Sequence, residues 1–149
     1  MIFQIERLDF EELCSFLRLQ AEDSFPDLKD EERLKMLAEK WSNNADCSTC
    51  RNDDGHLVGM IAFYANVQGA EFAYIPHVYV SLDYRHQGLF VKMLRMMEAY
   101  VKEKGYTKIK LEVKNDNEIA KNSYLRQGFV EGAIASENTV YMVKQTREL

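Results

Sequence analysis

Two stretches of this sequence hold residues whose types and spacing can do chemistry. The first is Arg85-His86-Gln87-Gly88-Leu89-Phe90, which follows a strand-like run and opens a helix-like one. N–H groups in the first turn of a helix have no intrahelical partner, and the helix dipole adds partial positive charge. Residues 85–90 can therefore present amides to an anion such as a phosphate. Gly88 permits close approach because it has no side chain, and Arg85 can add a charge-assisted contact. Phe90 is bulky where many phosphate loops carry glycine or alanine, but an anion is met by the N–H. Its register with Met93, Leu94, Met97 and Val101 predicts a ring in the core and a free amide. The plain alternative is a helix with a glycine near its start, and these residues alone do not choose. The second stretch is Asn117 to Phe129, NEIAKNSYLRQGF. Asn117 can cap a helix with Tyr124 near its middle. Taken alone, Tyr124 reads more readily as a packing tyrosine, but two such features flanking one strand shift the balance toward a site.

The elements that must position these residues follow from periodicity and punctuation. Residues 2–8 fit a first strand. Asp9 as N-cap with Glu12 three residues on forms a capping box for a first helix carrying Leu13, Phe16, Leu17 and Gln20. Pro26 ends that region, and 28–42 reads as a second, charged helix with Leu34, Leu37 and Trp41 on one side. Strands 47–52 and 56–67 flank Asp53-Asp54-Gly55, a hairpin turn, because Asp and Gly tolerate positive φ. A second turn over 66–71 precedes a strand over 72–81. A long helix over 88–104, closed by Gly105, leads to a strand over 107–113 that alternates Ile109, Leu111 and Val113. A short helix over 118–127 stops at Gly128, and strands over 129–133 and 138–145 close the chain. The order β-α-α-β-β-β-α-β-α-β-β is that of an α+β (mixed α/β) domain, largely antiparallel, with one β-α-β unit in the middle.

A chain of 149 residues suits a single domain, 1–149, able to bury a core without disulfides. Net charge is −5, which argues against a nucleic-acid partner, since such binding needs a basic footprint. The N-terminal MIFQIERLDFEE lacks the basic and apolar regions of a signal peptide. The longest apolar run, 58–65, is far short of a membrane span. We expect no membrane partner and a cytoplasmic protein. Cys47 and Cys50 form a C-x-x-C, but zinc needs a second pair and only Cys14 remains. The pair falls in a strand rather than at a helix start, so structural cysteines and no metal are expected.

Together the two stretches resemble the GNAT superfamily of acyl-CoA-dependent N-acetyltransferases. The family pattern [Q/R]-x-x-G-x-[G/A] is matched at Arg85 and Gly88 and departs at Phe90. Leu82 stands where proline is common in the approach to that loop. Downstream, N-x-x-A-x-x-x-Y-x-x-x-G-F is matched at Asn117, Ala120, Tyr124, Gly128 and Phe129. The likeness is strongest over 74–130, and the element order extends it along the chain. It implies a mixed, mostly antiparallel sheet of about six or seven strands flanked by about four helices.

The resemblance also implies acetyl-CoA as cosubstrate, with its pyrophosphate on the amides of Arg85, His86, Gln87, Gly88, Leu89 and Phe90. The pantetheine arm would run along Val78 and Val80, between the splayed fourth and fifth strands, near Asn117 and Tyr124. Pro76 suits an interrupted ladder, having no N–H to donate, though an ordinary edge proline reads the same. The reaction implied is direct aminolysis of the thioester in a ternary complex. Val80 matches the family's backbone oxyanion donor. Tyr124 matches its general acid, since a phenol of pKa about 10 stays protonated at neutral pH. Many relatives use a glutamate base on the fourth strand, and none stands in 73–80. His77 has the intrinsic pKa best suited to that role, with a structural histidine as the alternative. The acceptor is expected to be a primary amine, a small molecule in the first instance. Glu22, Asp23, Asp27, Asp30 and Glu71 are candidates to attract it or are simply a solvated face. Relatives commonly form homodimers, which the likeness allows here. The competing function is a noncatalytic acyl-CoA-binding regulatory module. A nucleotide-binding domain is disfavoured because neither G-x-x-x-x-G-K-[ST] nor G-x-G-x-x-G occurs.

Overall fold

Period-two apolar runs build one seven-stranded sheet in a computed structural model that describes residues 1–67 and 69–146. The strands are β1 (Ile2–Glu6), β2 (Asp46–Arg51), β3 (Leu57–Tyr64), β4 (Phe72–Val80), β5 (Lys108–Lys114), β6 (Val130–Ser136) and β7 (Thr139–Gln145). Their spatial order is β1-β2-β3-β4-β5-β7-β6, antiparallel throughout except for the parallel pair β4–β5. The helices are α1 (Phe10–Ala21), α2 (Glu31–Asn44), α3 (Leu89–Glu103) and α4 (Glu118–Arg126). The expected fold class is the one observed: a mixed sheet of seven strands with four α-helices.

Alternation along the strands splits the core into two layers. Cys47, Met60, Ala62 and Tyr79 face α1 and α2, against Leu13, Leu17, Leu34 and Trp41. Cys50, Ile61, Phe63, Ile75, Ile109 and Leu111 face α3. Cys47 and Cys50 are buried free thiols, and residues three apart in a strand point to opposite faces, so the C-x-x-C spacing cannot bring them together. On α3, Leu89, Met93, Leu94, Met97 and Val101 are buried, each contributing about 1.5–3 kcal/mol. Two devices set α3 close to the sheet. Gly59 leaves room for Met93, whose Cε would lie 2.9 Å from a Cβ there. The buried Ser48 hydroxyl donates to the Met93 carbonyl oxygen at 2.7 Å.

The boundaries depart from expectation where side chains intervene. β1 ends at Glu6, because Arg7 turns out to bond Asp46 and the Asn43 carbonyl oxygen while Leu8 turns into the core. Asp9 caps α1 through the Glu12 N–H (2.8 Å), but the Glu12 carboxylate is taken by Arg51 at 2.8 Å, so the capping box is half-formed. Residues 26–29 form a 3-10 turn, and Asp30 caps α2, which starts at Glu31 rather than 28. The sixth strand runs to Ser136, beyond the expected 133. The turn expected over 66–71 includes residue 68, which lies outside the described residues.

The sheet is interrupted where the site forms. β4 and β5 pair only over Phe72–Ile75 and Lys108–Leu111. The Ser81 N–H bonds the Val58 carbonyl oxygen of β3, so by alternation the N–H and C=O groups of Val78 and Val80 face β5. Residue 76 has the same orientation and would be next to donate across the ladder. It is proline, which has no N–H, and there the strands part.

Candidate active site

The loop between β4 and α3 concentrates unpaired donors. Ser81 to Arg85 form a 3-10 turn closed by Tyr84 N–H to Ser81 O (2.9 Å) and Arg85 N–H to Leu82 O (3.5 Å). His86 then adopts φ 63°, a left-handed conformation that costs a non-glycine residue about 1–2 kcal/mol. Gly88 is the N-cap of α3 at φ 77°, and a Cβ there would project into open space. The first helical bond is Lys92 N–H to Gly88 O at 3.2 Å, which leaves the amides of Leu89, Phe90 and Val91 without carbonyls one turn back. The amides able to meet an anion thus run from His86, since that of Arg85 already closes the preceding turn.

The Arg85 guanidinium is likewise engaged within the protein. Nε donates to the Val80 carbonyl oxygen at 2.8 Å, and Nη2 donates to Asp23 Oδ2 (3.2 Å) and Ser24 Oγ (3.0 Å). The group lies over the Tyr79 ring, whose hydroxyl donates to the same Asp23 carboxylate at 2.8 Å. Arg85 therefore clips the loop after α1 onto the end of β4, correcting its expected part as an anion contact. No local pattern announces this clip, because Asp23 and Ser24 lie 62 and 61 positions away.

Two cavities meet at the parting of β4 and β5. One, of about 460 Å³, is lined by Val78, Val80, Gly88, Phe90, Asn117 and Tyr124. The other, of about 940 Å³, lies beside the 3-10 turn over 26–29 and α2 and is lined by Phe25, Trp41, Tyr64, His77, Glu112 and Lys114 among others. Phe25, Val78, Asn117, Ala120 and Tyr124 belong to both walls. Leu89 lines the smaller cavity, and His86 stands at its rim; Gln87 is exposed, its side-chain amide donating to the Asp83 carbonyl oxygen at 3.4 Å. Asn117 caps α4, its Oδ1 accepting from the Ala120 N–H at 3.1 Å.

Phe90 packs against the core from its edge, half-buried, rather than inside it as its register predicted. It lies in line with the α3 stripe but over the gap in the sheet, and it packs edge-on against Tyr124 at 5.9 Å. Tyr124 is held from its other side by Phe129 at 5.6 Å. Burial pushes the Tyr124 phenol up to about 12, so it is a proton donor throughout the neutral range.

His77 sits between the Phe25 and Trp41 rings, at centroid distances of 4.6 and 4.9 Å. Desolvation drives its pKa down to about 4, with Asp27 opposing weakly. A ring with so weak an affinity for protons is neutral at pH 7 and poorly suited to deprotonate an alkylammonium group. That corrects the expectation of a basic His77. The candidate acidic residues are mostly occupied: Asp23 by Arg85 and Tyr79, Asp27 by Arg33 at 3.0 Å, and Asp30 as the α2 cap. Glu22 is exposed at the end of α1, and Glu71 lies beside Thr107, away from both cavities. Among the described residues, no group of three or more His, Cys, Asp or Glu could hold a metal, and no helix is long and apolar enough to cross a membrane.

Comparison with known proteins gives this arrangement, a β4–β5 splay beneath a glycine-capped helix, its family. The model of the acetyltransferase (GNAT) family matches residues 10–129, and the chain belongs to that family. No curated protein matched the sequence. Solved structures share the fold at low identity. An acetyltransferase of the GNAT family from Staphylococcus aureus is 18% identical, with TM-score 0.75, covering 98% of this chain and 100% of that one. The PaiA N-acetyltransferase from Thermoplasma acidophilum, solved in complex with coenzyme A, is 20% identical, with TM-score 0.72 and coverages of 97% and 99%. The ribosomal-protein-S18-alanine N-acetyltransferase of Escherichia coli is 18% identical, with TM-score 0.76 and coverages of 99% and 96%.

Proposed function

We propose that the protein transfers an acetyl group from acetyl-CoA to a primary amine, with a small molecule as the favoured acceptor. The observation that carries this reading is the place of Tyr124, a protonated phenol in the wall between the two cavities. The smaller cavity suits the pantetheine arm, and the amides from His86 to Phe90 suit the pyrophosphate. The larger cavity suits the amine. Between them the parted strands offer the N–H groups of Val78 and Val80. Val78 lines both cavities and Val80 only the smaller, so we assign the oxyanion contact to Val78 and a contact with the arm to Val80.

The neutral amine attacks the thioester carbonyl carbon. Its lone pair forms the new C–N bond, and the carbonyl π electrons move to oxygen, facing the Val78 N–H. Collapse of this tetrahedral species breaks the C–S bond, and sulfur leaves with that electron pair. Tyr124 donates to the departing thiolate, and the excess proton on nitrogen is lost to water. The weak basicity of His77 is why water takes it.

The test is calorimetric titration of the folded protein with acetyl-CoA, with ATP and NAD as controls, followed by a thiol-release assay over a panel of primary amines. Binding of acetyl-CoA alone, with amine-dependent thiol release, is expected. Absence of acetyl-CoA binding would overturn the proposal. Binding without turnover of any amine would favour the noncatalytic acyl-CoA module.

A further inference from the structure

His77, in the wall of the larger cavity, makes a polar contact for which the reaction outlined above has no use. Gln20 is completely buried beneath α1, and its Oε1 lies 2.5 Å from His77 Nε2. Its Nε2 faces the Met60 thioether at 3.7 Å. This arrangement fixes the amide orientation, because sulfur is a weak acceptor and has no proton to give. The amide nitrogen belongs on the Met60 side and the amide oxygen on the His77 side. An oxygen there can only accept, so His77 must carry its proton on Nε2. A neutral imidazole with Nε2–H has its lone pair on Nδ1. The ring cannot turn away from this contact, being held between Phe25 and Trp41. Asp27, whose charge favours the protonated ring, is itself paired with Arg33.

We infer that Gln20 is a positioning residue: it fixes His77 as the Nε2–H tautomer and so offers the Nδ1 lone pair to the acceptor cavity as a hydrogen-bond acceptor for the amine. The inference rests on the larger cavity being the acceptor site. A neutral primary amine has two N–H groups and one lone pair. If Nδ1 accepts one N–H, the amine is anchored through hydrogen and its lone pair stays free for the thioester. A histidine in the other tautomer would present N–H to the cavity and compete for that lone pair. The specificity that follows is for amines with at least one N–H in their neutral form, and tertiary amines are excluded at this contact.

Nitrogen-15 spectra of histidine-labelled protein test this without an identified acceptor, the His77 signal being assigned by its loss in His77→Gln. In the wild type, the Nε2–H form should exceed the Nδ1–H form by about 2- to 12-fold, the factor one hydrogen bond supplies. Gln20→Met, which keeps the side-chain length and removes the acceptor, should erase about that factor. Methylamine added to the acetyl-CoA-loaded wild type should shift the Nδ1 resonance, and tetramethylammonium, which has no N–H at any pH, should shift it far less. A wild-type ring protonated on Nδ1 would overturn the inference even if the variant failed to fold. So would an unchanged tautomer ratio in a folded Gln20→Met, or an Nδ1 resonance unmoved by methylamine. Failure of acetyl-CoA to bind would count against the proposed function and leave the tautomer result standing.

Discussion

Replacing Tyr124 by Phe removes one hydroxyl and keeps the ring contacts with Phe90 and Phe129. No side chain among the described residues bonds that hydroxyl, so folding stability and acetyl-CoA affinity should stay near wild type. The effect on turnover can be sized from the phenol itself. Burial sets its pKa at about 12, whereas an alkyl thiol ionises near 8.5. Complete proton transfer to the thiolate is then uphill by about 3.5 units, or about 5 kcal/mol at 1.36 kcal/mol per unit. In the proposed reaction Tyr124 would therefore act chiefly by donating a hydrogen bond as charge develops on sulfur. A hydrogen bond to a charged group is worth about 1.5–3 kcal/mol, which corresponds to a fall in kcat of about 10- to 100-fold. The assay is thiol release at saturating acetyl-CoA, with the amine varied and pH scanned. The wild-type profile should show no alkaline limb from Tyr124 below about pH 11, because the phenol is still protonated there. A kcat within about twofold of wild type would remove Tyr124 from the reaction. An alkaline limb near pH 9 that disappears in the Phe variant would refute the desolvated phenol.

The remaining predictions concern the loop, the ion network and the thiols. Gly88→Val should destabilise the fold by about 1–2 kcal/mol, because φ is 77° there, and should weaken acetyl-CoA binding in calorimetry. Arg51→Met should cost about 2–3 kcal/mol in urea unfolding, because Arg51 holds Glu6 and Glu12 together at 3.0 and 2.8 Å on a largely covered surface. Burial alone would raise the Glu6 pKa, but the Arg51 and Thr49 hydrogen bonds and the Arg51 charge bring it below the ordinary value. Its folded pKa lies below its unfolded one, so its contribution is complete above pH 4.5 and is lost as pH falls through the folded value; Arg51→Met should flatten that acid limb. Burial pushes the Cys47 thiol up to about 12 and also raises Cys14 and Cys50, so iodoacetamide at pH 8 should label none of them until the protein is unfolded.

Much of the architecture was legible because it rests on local signals. The period-two runs, the Asp9 and Asn117 caps and the Gly105 and Gly128 stops mark elements without knowledge of the rest of the chain. Gly88 was legible in the same way, as a glycine between a strand and a helix. What escaped were contacts between residues far apart in sequence. Arg85 reads as an anion ligand until the loop after α1 is folded back beside it. Phe90 reads as a core residue until the strands beneath it part, and His77 reads as a base until α1 and α2 remove its water. Gln20 belonged to a helical face in sequence, but its bond to His77 spans 57 positions and no local pattern announces it. The left-handed backbone at His86 is likewise set by the closing of the loop rather than by the residue's own preference.

The four residue pairs joining β4 to β5 have a mechanical consequence. Four strands lie on one side of that seam and three on the other, each block paired strand to strand within itself. The sheet behaves as two stiff plates welded along a short line, with compliance concentrated at the weld rather than in either plate. An extended chain of amides lodged beyond Ile75 would continue the weld and supply the cross-links that Pro76 withholds. In these terms, filling the gap is a bracing operation: it would stiffen the joint and bring the motions of the two plates into step, including those of residues that touch no ligand.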